Sequence, residues 1–346
     1  MPPEAGKGRA PNIRDVAALA GVSYQTVSRV LNDSEKIRPE TKRRVLAAIE
    51  ESGFRPNQAA RALVTSKSGT IGVLSTHQYA HYGPQTMVHA MEVAADLAGY
   101  RLALVTTGST PETIVEALDR LVRQAVEALI VVAPKVSVFE AIEDSSLDLP
   151  LVTLDSSIHN KRPGRAHSFA VDQYEGARMA TRHLIELGHR SIIHLAGPQD
   201  WIEADERMQG FLFELSENDL PVRAPILGEL SADFGYRAGL ELVRRRDFSA
   251  VFAANDQMAL GLLHAFRDEG LSVPHDVSVV GFDDIPDAAH YLPPLTTVRQ
   301  DFAAVGRRAV ELVIRELDSG GSGGVEFISP TLMVRESTSP PPAHWR

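Results

Sequence analysis

Val22-Ser23-Tyr24-Gln25-Thr26-Val27-Ser28-Arg29-Val30-Leu31-Asn32 is an amphipathic helix with a polar entry. Val27, Val30 and Leu31 recur at helical spacing on one face, while Tyr24, Gln25, Ser28 and Arg29 fall on the other. Ahead of it, Asn12 is placed to cap a helix through Ile13 to Ala20, with Asp15 near the positive N-terminal end. Val16, Leu19 and Ala20 give that first helix its apolar face, and Gly21 breaks it. Ser23 then caps the second helix. A third begins at Pro39, a favoured first helical residue, packs Val45, Ala48 and Ile49 beneath the other two and ends at Gly53. The pattern is a helix-turn-helix, in which the second helix enters a major groove and its early side chains reach base edges. Arg29 suits a bidentate pair with guanine and Gln25 a base amide edge. Ser28, Asn32 and Lys36 are placed for phosphates, which position a protein without specifying sequence.

The bland alternative is a small helical bundle whose polar residues are merely solvated. Charge argues against it. Residues 1–68 hold 12 Lys/Arg against 7 Asp/Glu, a net of +5, while the whole chain is −10, so residues 69–346 carry −15. A basic head on an acidic body is expected when one end meets phosphate and the other stays off it.

At 346 residues the chain is long enough for a headpiece and two further lobes. It is 44% hydrophobic and 23% charged, an ordinary globular balance. The absence of cysteine removes disulfides, thiolate metal sites and cysteine nucleophiles together. No apolar run approaches the ~18 residues of a membrane span, and Met1 to Ala10 lacks the apolar region of a signal peptide. A cytoplasmic protein that does not engage membranes is expected.

From residue 70 short apolar strands alternate with amphipathic helices. Strands are predicted over 71–75, 102–106, 128–133, 151–154, 168–171, 192–196, 226–230, 250–254 and 277–282, with a last one near 326–334. Helices are predicted over 87–98, 111–123, 174–187, 203–215, 235–245, 257–269 and 302–317. Apolar strands separated by helices imply parallel sheets covered on both faces, and there are enough for two. The break at 156–167, with Asn160, Pro163 and Gly164, is the expected first crossing between lobes, and a second is expected near 293–301. The domains are accordingly a headpiece (11–56), a linking segment (57–69), a two-lobed core (70–338) and a flexible proline-rich tail (339–346). Ligands of such sheets bind at the carboxyl ends of strands. Thr76, Asp155, Asn255 and the pair Asp283-Asp284 collect there, short hydrogen-bonding side chains suited to a polyhydroxylated neutral ligand. Neither GxGxxG nor GxxxxGK[ST] occurs, so no phosphate-binding loop is read and no cofactor is implied.

The run from Asn12 to Val64 resembles the headpiece of the lac repressor family (LacI/GalR-type bacterial regulators). The resemblance continues through Ala253-Ala254-Asn255-Asp256-Gln257-Met258-Ala259-Leu260-Gly261, Val279-Val280-Gly281-Phe282-Asp283-Asp284 and Pro293-Pro294-Leu295-Thr296-Thr297-Val298-Arg299-Gln300-Asp301-Phe302. It implies an α/β fold with a helix-turn-helix headpiece and a two-lobed, periplasmic-binding-protein-like core of doubly wound parallel sheets. It implies DNA contacts from Tyr24, Gln25, Thr26, Ser28, Arg29, Asn32 and Lys36. It also makes Asn57 to Val64 a hinge helix, with Asn57, Ala60 and Leu63 at DNA and Leu63 wedged into the minor groove. That octet is Ala-rich and too short to fold unaided. By position the resemblance places Thr76, Asp155, Arg207, Asn255, Asp283 and Gln300 around an effector, with Trp201 and Phe302 as candidates to pack on a sugar face. Two departures stand out: Leu230 where the resemblance calls for a pocket tryptophan, and Glu203 where it calls for a serine.

The enzymatic readings are weaker. Asp283 and Asp284 are adjacent at a strand end, so one faces the cleft and the other away, which does not make an acid–base pair. His77, His81 and His89 lack assured ligand geometry, and His183, His189 and His194 have no carboxylate at diagnostic spacing. Gly108-Ser109-Thr110 lacks the setting of a nucleophile elbow. No catalytic or metal-ligating residue is assigned. The expectation is a transcriptional regulator, a repressor of carbohydrate-use genes that a small sugar releases from a pseudo-palindromic double-stranded operator. A sugar-binding transport protein or sugar-processing enzyme on the same core is the alternative. A palindrome demands a homodimer. Thr338 to Arg346 has no leucine and three prolines, so it offers no heptad for joining dimers.

Overall fold

The structure, a computed structural model, describes residues 11–31, 37–54, 67–76, 82–132, 135–145, 147–154, 166–319 and 325–343. Asn32, Lys36, Asn57, Ala60, Leu63, Asp155, His77 and His81 lie outside these residues. The chain divides into two units, Met1–Ser68 and Gly69–Arg346.

The first unit holds α1 (Ile13–Ala20), α2 (Tyr24–Leu31) and α3 (Pro39–Ser52). Asn12 accepts from the amides of Arg14 and Asp15 while Asp15 accepts from the amide of Asn12, a closed capping box. Gly21 ends α1 at φ 61°, a conformation costly for any residue with a Cβ. The Ser23 hydroxyl accepts the Thr26 amide at 3.2 Å and so starts α2. Val16, Ala17, Ala20, Val27, Val30, Val45 and Ala48 form the core. Leu19, expected inside, is 48% exposed and Ala17 is buried in its stead, because α1 presents its smaller side chains to α3. Arg44 reaches back to the carbonyls of Ala20 and Gly21 at 2.7 and 3.2 Å, placing a cation on the negative end of α1.

The second unit begins with β1 (Thr70–Thr76), α4 (Tyr82–Leu97), β2 (Arg101–Thr107), α5 (Pro111–Arg123), β3 (Ala128–Val132), α6 (Val136–Asp144), β4 (Leu151–Thr153) and β5 (Ala166–Val171). It continues with α7 (Gln173–Glu186), β6 (Ile192–Ala196), α8 (Ile202–Glu217), β7 (Ile226–Leu227), α9 (Ala232–Arg245), β8 (Ala250–Ala253), α10 (Asp256–Asp268), β9 (Ser278–Asp283) and β10 (Thr296–Arg299). Last come α11 (Phe302–Ser319), β11 (Val325–Ile328) and β12 (Thr331–Met333). Among the described residues two six-stranded sheets form, ordered β11-β5-β4-β3-β1-β2 in the N-lobe and β12-β10-β9-β8-β6-β7 in the C-lobe. All pairs are parallel except β10 with β12. Each sheet reverses strand order once, between β1 and β3 and between β6 and β8, and a reversal opens a crevice at the carboxyl ends. Helices cover both faces of each sheet, with separate apolar clusters on either side.

Two expectations about connectivity are corrected and a third holds. The chain does not change lobes at 156–167: β4 and β5 pair side by side in the N-lobe sheet, Leu151 opposite Ala166, and the chain crosses only at Asp172, where α7 joins the C-lobe. The second crossing falls within the expected 293–301, after β10, which pairs with β9 in the C-lobe, and before α11 packs on the N-lobe. The single last strand over 326–334 is two strands in different sheets, β11 beside β5 and β12 beside β10, so a third crossing runs through Ser329-Pro330. The end of the core and the first residue of the tail are firmly held. Ser337 is fully buried, donating to the Val279 carbonyl at 2.6 Å and accepting the Thr296 amide at 2.8 Å. Ser339 is held by Ser278 and His189, and Thr338 by His183.

Candidate functional site

The carboxyl ends of β1, β3, β5, β8 and β9 open on one cleft between the lobes, with an empty volume of about 890 Å³ including its mouth. Of the eight residues expected there, Thr76, Trp201, Arg207, Asn255, Asp283, Gln300 and Phe302 line it. Val132, Leu154, Val171, Met87 and Val305 make the N-lobe wall apolar, whereas the C-lobe supplies Glu203, Arg207, Asn255, Gln257 and Asp283. Arg207 is the one cation among the described lining residues, against the carboxylates of Glu203 and Asp283.

Each polar group is held by its element. Asn255 caps α10, its side chain accepting the Met258 amide at 2.8 Å, and its amide nitrogen reaches the Leu230 carbonyl at 3.3 Å. Asp283 closes β9 at φ 107° and Asp284 follows at φ 51°, left-handed values that cost about 1–3 kcal/mol each and persist only where the surroundings impose them. Here they do. Asp284 turns away from the cleft onto Arg299 and Arg335, both at 2.6 Å. The Ile285 amide donates at 2.9 Å to buried Asp256, which also accepts the Thr297 hydroxyl at 2.5 Å. Burial, followed by the nearby charge of Asp283, pushes the Asp256 carboxyl well above the usual carboxylate range.

Arg207, on α8, is not the free fork the sequence suggests. Its Nε donates to Gln173 at 2.8 Å and its Nη1 to the Ala254 carbonyl at 2.6 Å, while the guanidinium lies 4.1 Å above the Phe282 ring. The Nη2 edge faces Asp283 at 3.6 Å and Glu203 at 3.8 Å. Gln173, Gln257 and Tyr82 line the cleft without having been anticipated. Gln173 was findable, since it stands two residues past β5, at a carboxyl end like the others. On the rim, Lys135 of the N-lobe donates to Asp200 at 2.6 Å and forms an antiparallel bridge with Trp201, while Ile202 packs into the N-lobe cluster of α5 and α6.

Behind Arg207, His194 stacks on Phe252 at 4.6 Å, and burial, reinforced by the Arg207 charge, lowers its pKa to about 4. Burial also lowers His183 and His189. Folded values below the unfolded one mean that the unfolded chain binds the extra protons. The contribution of these histidines to stability is therefore complete above about pH 6.5 and is lost as pH drops through that value toward 4, while buried Asp256, raised, works in the opposite sense. His194 alone accounts for a loss on the order of 3 kcal/mol by pH 4. Urea titrations at pH 7.5 and 5 of the parent beside His194→Asn isolate this term: the parent should lose more stability on acidification than the variant, and an equal pH dependence in both would remove His194 as a cause.

No group of three or more His, Cys, Asp or Glu is arranged to hold a metal ion among the described residues, and no described helix is long and apolar enough to cross a membrane. The other candidate site is α2. Its Val27 and Val30 are buried, while Tyr24, Gln25 and Arg29 are exposed and Thr26 and Ser28 half-buried.

Residues 12–57 match the profile of bacterial regulatory proteins of the lacI family, and residues 181–338 that of a periplasmic binding protein-like domain. The lactose operon repressor of Escherichia coli (strain K12) is 34% identical over 330 residues, spanning 94% of this chain and 90% of that protein. The chain belongs to the lac repressor family. Among solved structures, the lac repressor dimer bound to operator and the anti-inducer ONPF superposes with a TM-score of 0.87 at 32% identity, over 96% of this chain and 100% of that one. The complex of the transcriptional regulator CelR with cellobiose gives 0.71 at 32% identity, over 94% and 99%. Within the lac repressor family fold, Glu203 and Leu230 stand on the cleft wall, so both departures noted in the sequence fall on the lining itself.

Proposed function

We propose that this chain is a homodimeric, cytoplasmic repressor that reads a pseudo-palindromic operator through α2 and releases it when a small sugar fills the cleft. The cleft lining carries the reading. Hydrogen-bonding groups on the C-lobe wall face an apolar N-lobe wall, and Trp201, Tyr82 and Phe302 offer aromatic surface for the apolar face of a sugar ring. One arginine against two carboxylates disfavours a phosphorylated ligand, and Glu203 adds an acceptor for hydroxyls. The relatives support the same direction, one holding operator and another cellobiose. Turnover is not part of the proposal: Asp284 is committed to Arg299 and Arg335, so the adjacent pair Asp283-Asp284 does not serve as acid and base.

DNA contacts are assigned to Tyr24, Gln25, Thr26, Ser28 and Arg29, with Asn32, Lys36, Asn57, Ala60 and Leu63 completing the set. The effector set is Thr76, Asp155, Trp201, Arg207, Asn255, Asp283, Gln300 and Phe302, now joined by Glu203 and Gln257, while the Gln173 amide is spent on Arg207 and Gln300. The decisive experiment is a thermal-shift screen of neutral mono- and disaccharides beside their phosphates, because a ligand of the native state raises the melting temperature. A neutral sugar should shift it; a response confined to phosphorylated sugars would sink the proposal. Operator affinity should fall steeply with salt, as phosphate contacts require. Arg29→Ala should cost about 1–3 kcal/mol and relax discrimination at one symmetric base pair. Unchanged preference over scrambled sites would move base reading off α2.

A further inference from the structure

Gln173 is 1% exposed and is the first residue of α7, directly after the chain leaves the N-lobe. Gln300, at the second crossing, is also buried. The two amides meet: Gln173 Nε2 donates to Gln300 Oε1 at 2.7 Å. Each then reaches a charged residue of the cleft. Arg207 Nε donates to Gln173 Oε1 at 2.8 Å, and Gln300 Nε2 donates to Asp283 Oδ1 at 2.7 Å. The third crossing is tied in through the backbone, Asp172 N to Ile328 O at 3.1 Å.

This chain of bonds has a fixed direction. Arginine only donates and a carboxylate only accepts, so Arg207 at one end and Asp283 at the other dictate which way both amides point. All four residues sit in a poorly solvated junction where an unmade bond is costly, so the relay cannot break at one link without disturbing the next. It runs from one cleft-facing group, through both crossing segments, to another. On the opposite rim Lys135 and Asp200 join the lobes.

We infer that Gln173 is the positioning residue that couples occupation of the cleft to the angle between the lobes, acting through Arg207 and Gln300. This rests on the cleft being the effector site. A ligand that draws on Arg207 or Asp283 changes the ends of the relay, and the crossings answer by favouring the lobe arrangement in which the amides are again satisfied. Glutamate at this position still accepts from Arg207 but has no donor for Gln300. Methionine fills similar space and offers neither.

The test uses full-length Gln173→Glu and Gln173→Met in a Trp345→Phe background, so that Trp201 is the sole tryptophan. Three readouts are needed. Acrylamide quenching of Trp201 without sugar reports the lobe junction. Titration of Trp201 emission with cellobiose, lactose and ribose reports binding. Affinity for a DNA site selected from a random pool, with and without sugar, reports coupling. Melting curves first establish that both variants are folded. Both should be more readily quenched than the parent. Gln173→Glu should bind sugar nearly as the parent does, yet its sugar-driven change in DNA affinity should fall from roughly 5–150-fold to below about 2-fold. Gln173→Met should lose affinity as well, since Arg207 loses its acceptor. A purely structural residue would not separate binding from coupling in this way. Parent-like quenching and parent-like coupling in both variants overturn the inference. If the parent answers to none of the three sugars, the titrations are repeated with the sugar found by thermal shift, and parent-like quenching in both variants already overturns the role of Gln173 at the junction.

Discussion

Gly261→Ala is expected to destabilise the C-lobe by at least about 3 kcal/mol and to lower its melting temperature by roughly 10 °C. The direction is the informative part. In an exposed helix interior, alanine for glycine stabilises by about 1 kcal/mol. At Gly261, in α10, an added Cβ overlaps the Ala232 carbonyl oxygen and falls 2.5 Å from Tyr236 N, both backbone atoms of α9. Gly235 of α9 meets the Met258 carbonyl of α10 in the same way. The two helices cross backbone to backbone, each through a glycine of its own, so no rotamer change relieves the overlap. They must separate, and with them Leu242, Val243, Leu262 and Phe266 of the cluster covering one face of the C-lobe sheet. Urea unfolding with the m-value checked for two-state behaviour measures the loss. A variant as stable as the parent, or more so, would mean that the helices do not touch there.

Local chemistry made the headpiece readable. Asn12, Gly21, Ser23 and Pro39 act on residues within a few positions, and the structure uses each where the pattern puts it. Leu19 failed because helical spacing finds a face but does not say which of two neighbouring residues meets α3. The cleft was mostly readable by the carboxyl-end rule, which needs only the ends of apolar runs. Gln173 falls under the same rule, but its place at a lobe crossing does not. Asn160, Pro163 and Gly164 announce a loop, but nothing local says whether the next strand rejoins the same sheet. That depends on β5 pairing with β4 and β11. The crossing at Ser329-Pro330 lay hidden within what reads as a single strand. The tail shows the same limit: Ser337, Thr338 and Ser339 look like linker residues until Val279, Ser278, His183 and His189 are brought to them from far along the chain. Departures from the family were readable only as substitutions. Their consequence, an extra carboxylate within 3.8 Å of Arg207, required the packed cleft.

Arg207→Ala is expected to leave operator affinity near that of the parent while abolishing the response to sugar. In the proposed reading the operator is held by residues of the headpiece and hinge, and none of them is touched. The cleft loses more than one donor. Truncation removes the acceptor-facing edge toward Glu203 and Asp283, strips the cation from the Phe282 face, and leaves Gln173 Oε1 and the Ala254 carbonyl without their partner. Hydrogen bonds to a charged group contribute about 1.5–3 kcal/mol, so sugar affinity should fall roughly 10- to 150-fold even if only one bond to the ligand is lost. Asp283 then keeps its charge with less to balance it, and the left-handed turn at Asp283 and Asp284 loses one of its constraints. Arg207→Lys should not rescue the response. An ammonium is a point charge that cannot serve Gln173, Ala254 and the cleft together, nor stack on Phe282 as a planar guanidinium does. The measurement is calorimetric titration of the sugar found by thermal shift, beside DNA binding with and without it. A lysine variant that responds at parental sugar concentrations would reduce Arg207 to a simple positive charge, and an alanine variant that does so would place the effector outside this cleft.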